Sequence, residues 1–335
     1  MATIAELRDI CGTCSQETVA LGDDLLVSLF GGRVIGLSTD GTENALWTNP
    51  ALASVPTAAA MFADAAWPNP GGDRIWVSPE RETHLIDPDD VGAGFAIPTQ
   101  VDPGSYRVLR SDSRQVCLEN SATVQMLRSK SAVALTWQTT ISTLDDAPYA
   151  TGDLAVRGYR TAVSMTCEGD PVVRPAIWRL LQVKGGGRIT VPTRNTAAPF
   201  LLVGTAGYRH DGRLIHADIP AAASYKFAIH ARESTGELRY QQDYAGYSDL
   251  IVRRFHVEPD GLYSEVPADG RPDTGYIVQI YVDDGSFGDF GELEHHSIAI
   301  PPGRSQVTDT CDTWLIRGDR QAIHALAAEM AEAAG

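Results

Sequence analysis

The segment Phe290-Gly291-Glu292-Leu293-Glu294-His295-His296 is the densest group of titratable side chains in the 335-residue chain. Side chains alternate faces along a strand. Glu292, Glu294 and His296 therefore share one face, and His295 takes the other. Two carboxylates held close raise the pKa of one of them, which suits a base working near neutrality. The trio could also hold a metal, since imidazole and carboxylate ligate zinc, manganese or nickel. Further ligands would then come from His210, His216, His230 or Asp218. Nothing in the spacing demands that, so neither a metal nor another cofactor is expected. A solvated edge strand of alternating charge is the plainer alternative.

A second group lies in Gly71-Gly72-Asp73-Arg74-Ile75-Trp76-Val77-Ser78-Pro79-Glu80. Arg74, Trp76 and Ser78 fall on one strand face. Arginine offers a planar fork for a carboxylate, a phosphate or adjacent hydroxyls. Glu80 follows a proline at the strand end and could bind a ligand or pin the loop through Arg74. His84, four residues on, is read as a loop histidine and a candidate proton donor. A third group lies in Ala176–Val183, where Trp178, Leu180 and Gln182 share a face. An indole can stack on the C–H face of a pyranose and donate its N–H to a hydroxyl. Trp178 and Gln182 are the ligand-facing candidates there, against a purely structural tryptophan. Lys226 and His230 share a face of another strand, and one of them is expected to be exposed.

The elements that carry these groups read as strands. Short β-branched and apolar runs recur from Val19 to Val282, split by turns such as Gly31-Gly32, Gly71-Gly72 and Pro103-Gly104. Val19–Phe30, Gln115–Asn120 and Thr123–Lys130 are among the longer ones. Helical spacing is confined to residues 4–12, to an Ala- and Pro-rich insert at 50–70 with a helix around Ala58–Ala66, and to Asp319–Ala334. No βαβ alternation and no long-period repeat is present, which argues against parallel α/β, propeller and solenoid folds. The expectation is all-β: one large antiparallel β-sandwich over residues 1–335, with an N-terminal helix within 1–17 and a C-terminal helix within 318–335.

Composition narrows the partners. Lys and Arg total 27 against 43 Asp and Glu, a net charge of −16. A field of that sign repels phosphate backbones and anionic lipid, so neither nucleic acid nor membrane is an expected partner. The charged N-terminus lacks a signal-peptide core. The five cysteines include only one C-x-x-C pair, Cys11 and Cys14. Free thiols in a reducing, cytoplasmic setting are expected. Lys184-Gly185-Gly186-Gly187-Arg188 reads as a hairpin turn rather than a phosphate loop, and Asp283-Asp284-Gly285-Ser286 as a turn rather than a calcium loop. Serine-hydrolase, zincin and Rossmann motifs are absent. The oligomeric state is not legible.

Three stretches together resemble the galactose mutarotase-like superfamily, which includes aldose 1-epimerases and hexose-6-phosphate epimerases. They are Phe30–Leu37 followed by Asn44–Pro50, then Gly71–Glu80, then Phe290–His295. The pairing of Trp76-Val77-Ser78-Pro79-Glu80 with Gly291-Glu292-Leu293-Glu294-His295 is similar to a bacterial branch of that superfamily. The resemblance covers about residues 18–320. It implies a β-supersandwich, a small carbohydrate ligand and interconversion of anomers without a cofactor. A base takes the proton of the anomeric hydroxyl while an acid protonates the ring oxygen. The resemblance puts Glu294 at the base position. Trp178 stands where the family has its acid histidine, and an indole does not exchange protons usefully near neutrality. The acid is then lost, or it is His296 or His84. Arg74, Trp76, Glu80, Trp178, Gln182 and Glu292 would hold the sugar. Two alternatives stay open: a sugar-binding protein without catalysis, and glycosidic β-elimination or hydrolysis with Glu80 and Glu294 as the carboxylate pair.

Overall fold

A computed structural model of the chain describes residues 3–64, 67–220, 222–266 and 275–334. The first strands are β1 (Thr18–Leu21), β2 (Leu25–Ser28), β3 (Arg33–Leu37), β4 (Asp73–Ser78), β5 (Leu85–Asp87), β6 (Asp90–Phe95), β7 (Arg107–Ser111), β8 (Gln115–Met126), β9 (Ser131–Leu144) and β10 (Ala155–Cys167). They continue as β11 (Ala176–Lys184), β12 (Arg188–Pro192), β13 (Phe200–Val203), β14 (Arg209–Asp211), β15 (Leu214–Asp218), β16 (Tyr225–His230), β17 (Glu237–Asp243), β18 (Ser248–Phe255), β19 (Tyr276–Val282), β20 (Phe290–His296) and β21 (Gln306–Gly318). The helices are α1 (Ile4–Thr13), α2 (Val55–Phe62), the single turn α3 (Glu80–Thr83) and α4 (Arg320–Ala334), with a 3₁₀ turn at Pro50–Ala53.

Two large antiparallel sheets make a β-sandwich. The first has nine strands in the order β1-β2-β3-β4-β11-β20-β19-β16-β13, and the second has ten in the order β14-β15-β12-β17-β18-β21-β10-β9-β8-β7. Their facing sides share one apolar core, with Ile75, Val77 and Leu181 of the first sheet against Trp137, Ile251 and Leu315 of the second.

The two sheets differ on their outer faces. In β8 burial alternates: Ala122, Val124 and Met126 are buried, while Ser121, Thr123 and Gln125 are exposed. That is the signature of a sheet with one wet face. In β4 and β20 every residue is buried, because helices and loops cover the outer face of the first sheet. At one end Ile4 and Leu7 of α1 and Ala58 of α2 pack on Leu26 and Ile35. Helix α4 covers the second sheet instead, placing Ile323, Leu326 and Met330 on Leu250, Val252 and Ile316.

Local chemistry explains the element ends. Thr3 and Glu6 form a capping box that starts α1. Asp319 accepts from the backbone N–H of Gln321 and Ala322 and so starts α4 at Arg320. Gly71 and Gly72 have φ of +97° and +83°, and a Cβ on Gly72 would lie 2.2 Å from the Val34 carbonyl oxygen. Only glycine lets the chain enter β4 so close to β3.

Three element expectations need correction. Val19–Phe30 is a hairpin, broken at Gly22, which has φ +69°. Gln115–Asn120 and Thr123–Lys130 fuse into one strand, since Ser121 and Ala122 continue the ladder with β9 and the turn falls at Lys130. The insert helix runs over Val55–Phe62, with Pro56 in its first turn where its missing N–H costs nothing. Ala65 and Ala66 lie outside the described residues. No described helix is long and apolar enough to cross a membrane. All five cysteines are free thiols.

Candidate functional site

Strand register brings the three sequence groups together. On the central strands of the first sheet, Trp178 pairs with Trp76 on one side and His296 on the other. Gln182 pairs with Glu292, and Glu294 pairs with Gln279 of β19. Arg74, Trp76, Trp178, Gln182, Glu292, Glu294 and His296 thus lie on the outer face, as alternation requires. Lys226 reaches the group from β16, and Glu80 and His84 reach it from α3 and the residue after it.

Glu294 is fully buried at the centre. Its Oε2 accepts from Trp178 Nε1 at 2.8 Å and lies 3.1 Å from Lys226 Nζ. Its Oε1 has no partner among the described residues. Lys226 Nζ also bonds Glu80 Oε2 at 3.0 Å and sits 4.8 Å over the Trp178 ring. The backbone N–H of Glu80 donates to Glu265, another buried carboxylate. Burial, and then the nearby carboxylates Glu292 and Glu80, push Glu294 up to about 8 despite Lys226. Burial and then Glu80 push Glu265 up to about 7. Burial alone would weaken the charge on Lys226, but Glu294, Glu80 and Glu292 together hold its pKa above the ordinary lysine value. Two carboxylates, Glu80 and Glu294, share one ammonium.

Arg74 donates to Glu292 Oε1 at 2.8 Å, and Gln182 Nε2 donates to the same oxygen at 3.0 Å. Arg74 Nε and Nη1 and Gln182 Oε1 are left without partners among the described residues. Trp76 Nε1 donates to Asp102 at 2.9 Å, and Asp102 also pairs with the buried Arg33. The Arg74 guanidinium lies 4.2 Å from the Trp76 ring centre, and His84 stacks on that ring at 4.6 Å. His296 stacks on Trp178 at 5.5 Å.

Several expectations change here. His84 is fully buried, wedged against Trp76 and Trp178, because the turn α3 folds it back over the sheet. Glu80 pairs with Lys226, while Arg74 takes Glu292 instead. Lys226 is buried and central, and His230 is half-buried. The rings of Trp76 and Trp178 are covered by Arg74, His84, His296 and Lys226, so each indole acts through its N–H rather than as an open stacking platform. His210, His216 and Asp218 lie on β14 and β15 of the other sheet, away from Glu294. Among the described residues no group of three or more His, Cys, Asp or Glu side chains is placed to hold a metal. Asp283 closes its turn by accepting from Gly285, Phe287 and Asp289.

Both histidines are held neutral. Burial and then Arg74 depress His84 to about 3. Burial and then Lys226 hold His296 well below its ordinary value. The tautomer of His84 follows from its neighbour. Thr83 Oγ1 lies 2.9 Å from the carbonyl oxygens of Val77 and Pro79, so its one proton is committed there. His84 Nδ1, 2.6 Å from the same oxygen, must be the donor. His84 Nε2 is then an unpartnered acceptor. His296 has both nitrogens unpartnered and keeps one N–H to give.

Glu265, Gln279 and Asp102 were missed by the sequence reading. Gln279 carries a weak signal as the polar residue in Tyr276–Val282. Glu265 and Asp102 sit in loops and carry none. Elsewhere, a groove of about 820 Å³ runs between α4 and the second sheet. Its Arg239 and Arg254 are both spent on Glu237.

No protein-family model matches the chain, and no curated protein sequence does. Solved structures do. The chain is similar to the Slr1438 protein of Synechocystis sp. PCC 6803, at 12% identity and TM-score 0.52, over 91% of this chain and 96% of that one. It is similar to a galactose mutarotase-like protein of Lactobacillus casei ATCC 334, at 10% identity and TM-score 0.50, over 90% and 99%. It is also similar to a provisionally assigned aldose 1-epimerase of Escherichia coli K12, at 13% identity and TM-score 0.50, over 91% and 99%. The fold is the galactose mutarotase-like β-sandwich.

Proposed function

We propose that the outer face of the first sheet binds a sugar and interconverts its anomers, with Glu294 as general base. The observation that carries this reading is the Glu294 carboxylate itself. It is buried, anchored through one oxygen by Trp178 and Lys226, and unpartnered at the other. A base needs that combination of fixed position, free lone pair and pKa near neutrality. Glu294 Oε1 takes the proton of the anomeric hydroxyl as the ring C–O bond breaks, and the ring oxygen leaves as an alkoxide held by a hydrogen bond from an imidazole N–H. After rotation about C1–C2 the alkoxide re-adds to C1 while Glu294 returns the proton to the new anomeric oxygen. Arg74 Nε and Nη1 and Gln182 Oε1 are available to fix hydroxyls. Of the two histidines, His296 is the better donor toward the ring oxygen, because His84 spends its N–H on Thr83. A neutral imidazole N–H polarises an oxygen rather than fully protonating it. The hydrolytic alternative has less support, because the Lys226 ammonium, not a scissile bond, sits between Glu80 and Glu294.

A second reading, sugar binding without catalysis, is supported by Trp178, whose indole stands at the centre and gives its N–H to Glu294. Anomer exchange followed by NMR separates the two, using sugars that pass a thermal-shift screen. Glu294→Gln keeps the shape and removes the basicity. It should retain binding and lose at least about 100-fold in exchange rate. A wild-type protein that binds a sugar but leaves exchange at the spontaneous rate overturns the epimerase reading in favour of the binder.

A further inference from the structure

Negative charge exceeds positive charge at this site. Glu80, Glu265, Glu292 and Glu294 gather around Arg74 and Lys226, with Arg81 also acting on Glu265. Arg74 is spent on Glu292. Lys226 touches Glu80 and Glu294 and must serve Glu265 at one remove. The unpartnered atoms include donors, Arg74 Nε and Nη1 and one His296 nitrogen, and acceptors beside them. Glu294 Oε1 accepts once its proton is displaced, and Gln182 Oε1 accepts because its amide nitrogen is fixed on Glu292. His84 Nε2 accepts because its other nitrogen donates to Thr83.

We propose that the sugar this site is built for carries a protonated amino group: a hexosamine, in preference to a neutral, phosphorylated or acidic sugar. This rests on the sugar-binding reading above and names the class of ligand. An ammonium brings donors to these acceptors and a charge that can replace the protons burial holds on Glu294 and Glu265 near neutrality. The site already holds one ammonium in this manner, since Lys226 Nζ lies between Glu80 and Glu294 and over the Trp178 ring. The elevated pKa values of the buried Glu294 and Glu265 are consistent with Lys226 being shared between Glu294 and the half-buried Glu80. A phosphate or uronate meets the opposite situation. The free N–H groups of Arg74 stand beside Glu292, whose charge opposes an incoming anion. The chain as a whole carries −16 and repels it at longer range.

Isothermal titration of the full chain at about pH 6.5 tests this, with D-glucosamine and D-galactosamine against their parent hexoses, their N-acetyl forms, glucose 6-phosphate and glucuronate. One hexosamine should bind at least about tenfold tighter than its parent, the scale of one charge-assisted hydrogen bond. N-acetylation should abolish that gain, and the two anions should not bind. Glu80→Gln should bring the amine-to-parent ratio toward one. Glu265→Gln serves if that variant does not fold. A neutral or anionic sugar bound as tightly as the amine overturns the proposal and leaves the sugar-binding reading intact. Failure of every sugar class to bind overturns that reading and the proposal with it.

Discussion

The two faces of the first sheet hold buried charge in opposite ways. On β4, β11 and β20 the neighbours Asp73 and Arg74, Arg179 and Trp178, and His295 and Glu294 point to opposite sides. The inner members meet Arg253, Tyr159 and Asp309 from the second sheet. Asp73 accepts from Arg253 at 2.9 Å and from Tyr159 at 2.8 Å, with Arg179 at 3.5 Å. Asp309 takes His295 at 3.2 Å and Arg179 at 3.5 Å. Two carboxylates balance two guanidiniums, and burial holds His295 down at about 4, so it adds no charge. Arg253 and Arg179 hold Asp73 below its ordinary value against the pull of burial. Among the described residues no inner carboxylate oxygen is buried without a partner, whereas Glu294 Oε1 on the outer face is. A charge-balanced lattice joins the two sheets, although Arg179 Nε and Nη1, Arg253 Nη1 and His295 Nδ1 have no hydrogen-bond partner among the described residues. The outer lattice instead keeps a buried carboxylate oxygen, Glu294 Oε1, without a partner, which supports the proposal that this face takes a ligand. Burial alone does not tell the two apart, but charge balance does.

Breaking the inner lattice should have the largest effect on stability. Asp73→Ala leaves the Arg253 and Arg179 guanidiniums buried and undercompensated, which costs about 3–5 kcal/mol for such pairs. Urea unfolding should show it. On the outer face, Glu294→Gln should cost far less stability at neutral pH while removing exchange activity. A loss under about 1 kcal/mol for Asp73→Ala would erase the distinction between the faces.

A smaller effect sharpens the outer face. Trp178→Phe keeps most of the ring and deletes the N–H that holds Glu294. Losing a hydrogen bond to a buried charged group costs about 1–3 kcal/mol. The carboxylate should then ionise at higher pH, so the exchange–pH profile should move upward along with a several-fold loss of rate. A rate loss with an unmoved profile would make Trp178 only a packing residue.

What the sequence made legible here was local. The two-residue period put Arg74 with Trp76, Trp178 with Gln182, and Glu292 with Glu294 and His296, because alternation follows from backbone geometry alone. What it hid was set by strand order and by what covers a face. Lys226 shares a face with Ala228 and His230 in the sequence, yet it becomes central only because β16 lies next to β19 and β19 next to β20. Asp73 depends on Arg253, 180 positions away, and Arg179 on Asp309 in the opposing sheet, so no spacing rule reveals them. His295 meets the same Asp309, nearer in sequence but on a strand of that opposing sheet. Their alternation was visible while the opposing sheet was not. Glu265 sits in a loop with no periodicity to read.

A last effect lies in the pH dependence of stability, where the sign differs from that of an ordinary salt bridge. Glu294 is held at about 8 in the folded chain, against 4.5 for an unperturbed glutamate. Between those values the folded state keeps a proton that the unfolded state has released. Stability therefore falls as pH rises through this window, and the penalty is complete above about 8. Glu294→Gln cannot ionise and lacks this contribution. Glu265 falls in the same direction but is present in both proteins, so it largely cancels in the difference. Lys226 stays charged throughout. The difference in Tm between the variant and wild type should thus move in the variant's favour from pH 5 to pH 9. A pKa shift from 4.5 to about 8 corresponds to about 5 kcal/mol at most. One kcal/mol is worth about 2–4 °C in chains of 150–250 residues and less at this length, so the change is on the order of several degrees. Asp73→Asn offers the contrast. Asp73 ionises below its ordinary value, so its stabilisation is present above about pH 4 and lost on acidification. Opposite slopes for the two variants would mark the two faces of one sheet. Parallel Tm curves for Glu294→Gln and wild type across the window would place Glu294 among ordinary ion-paired carboxylates and remove the basis for treating it as the base.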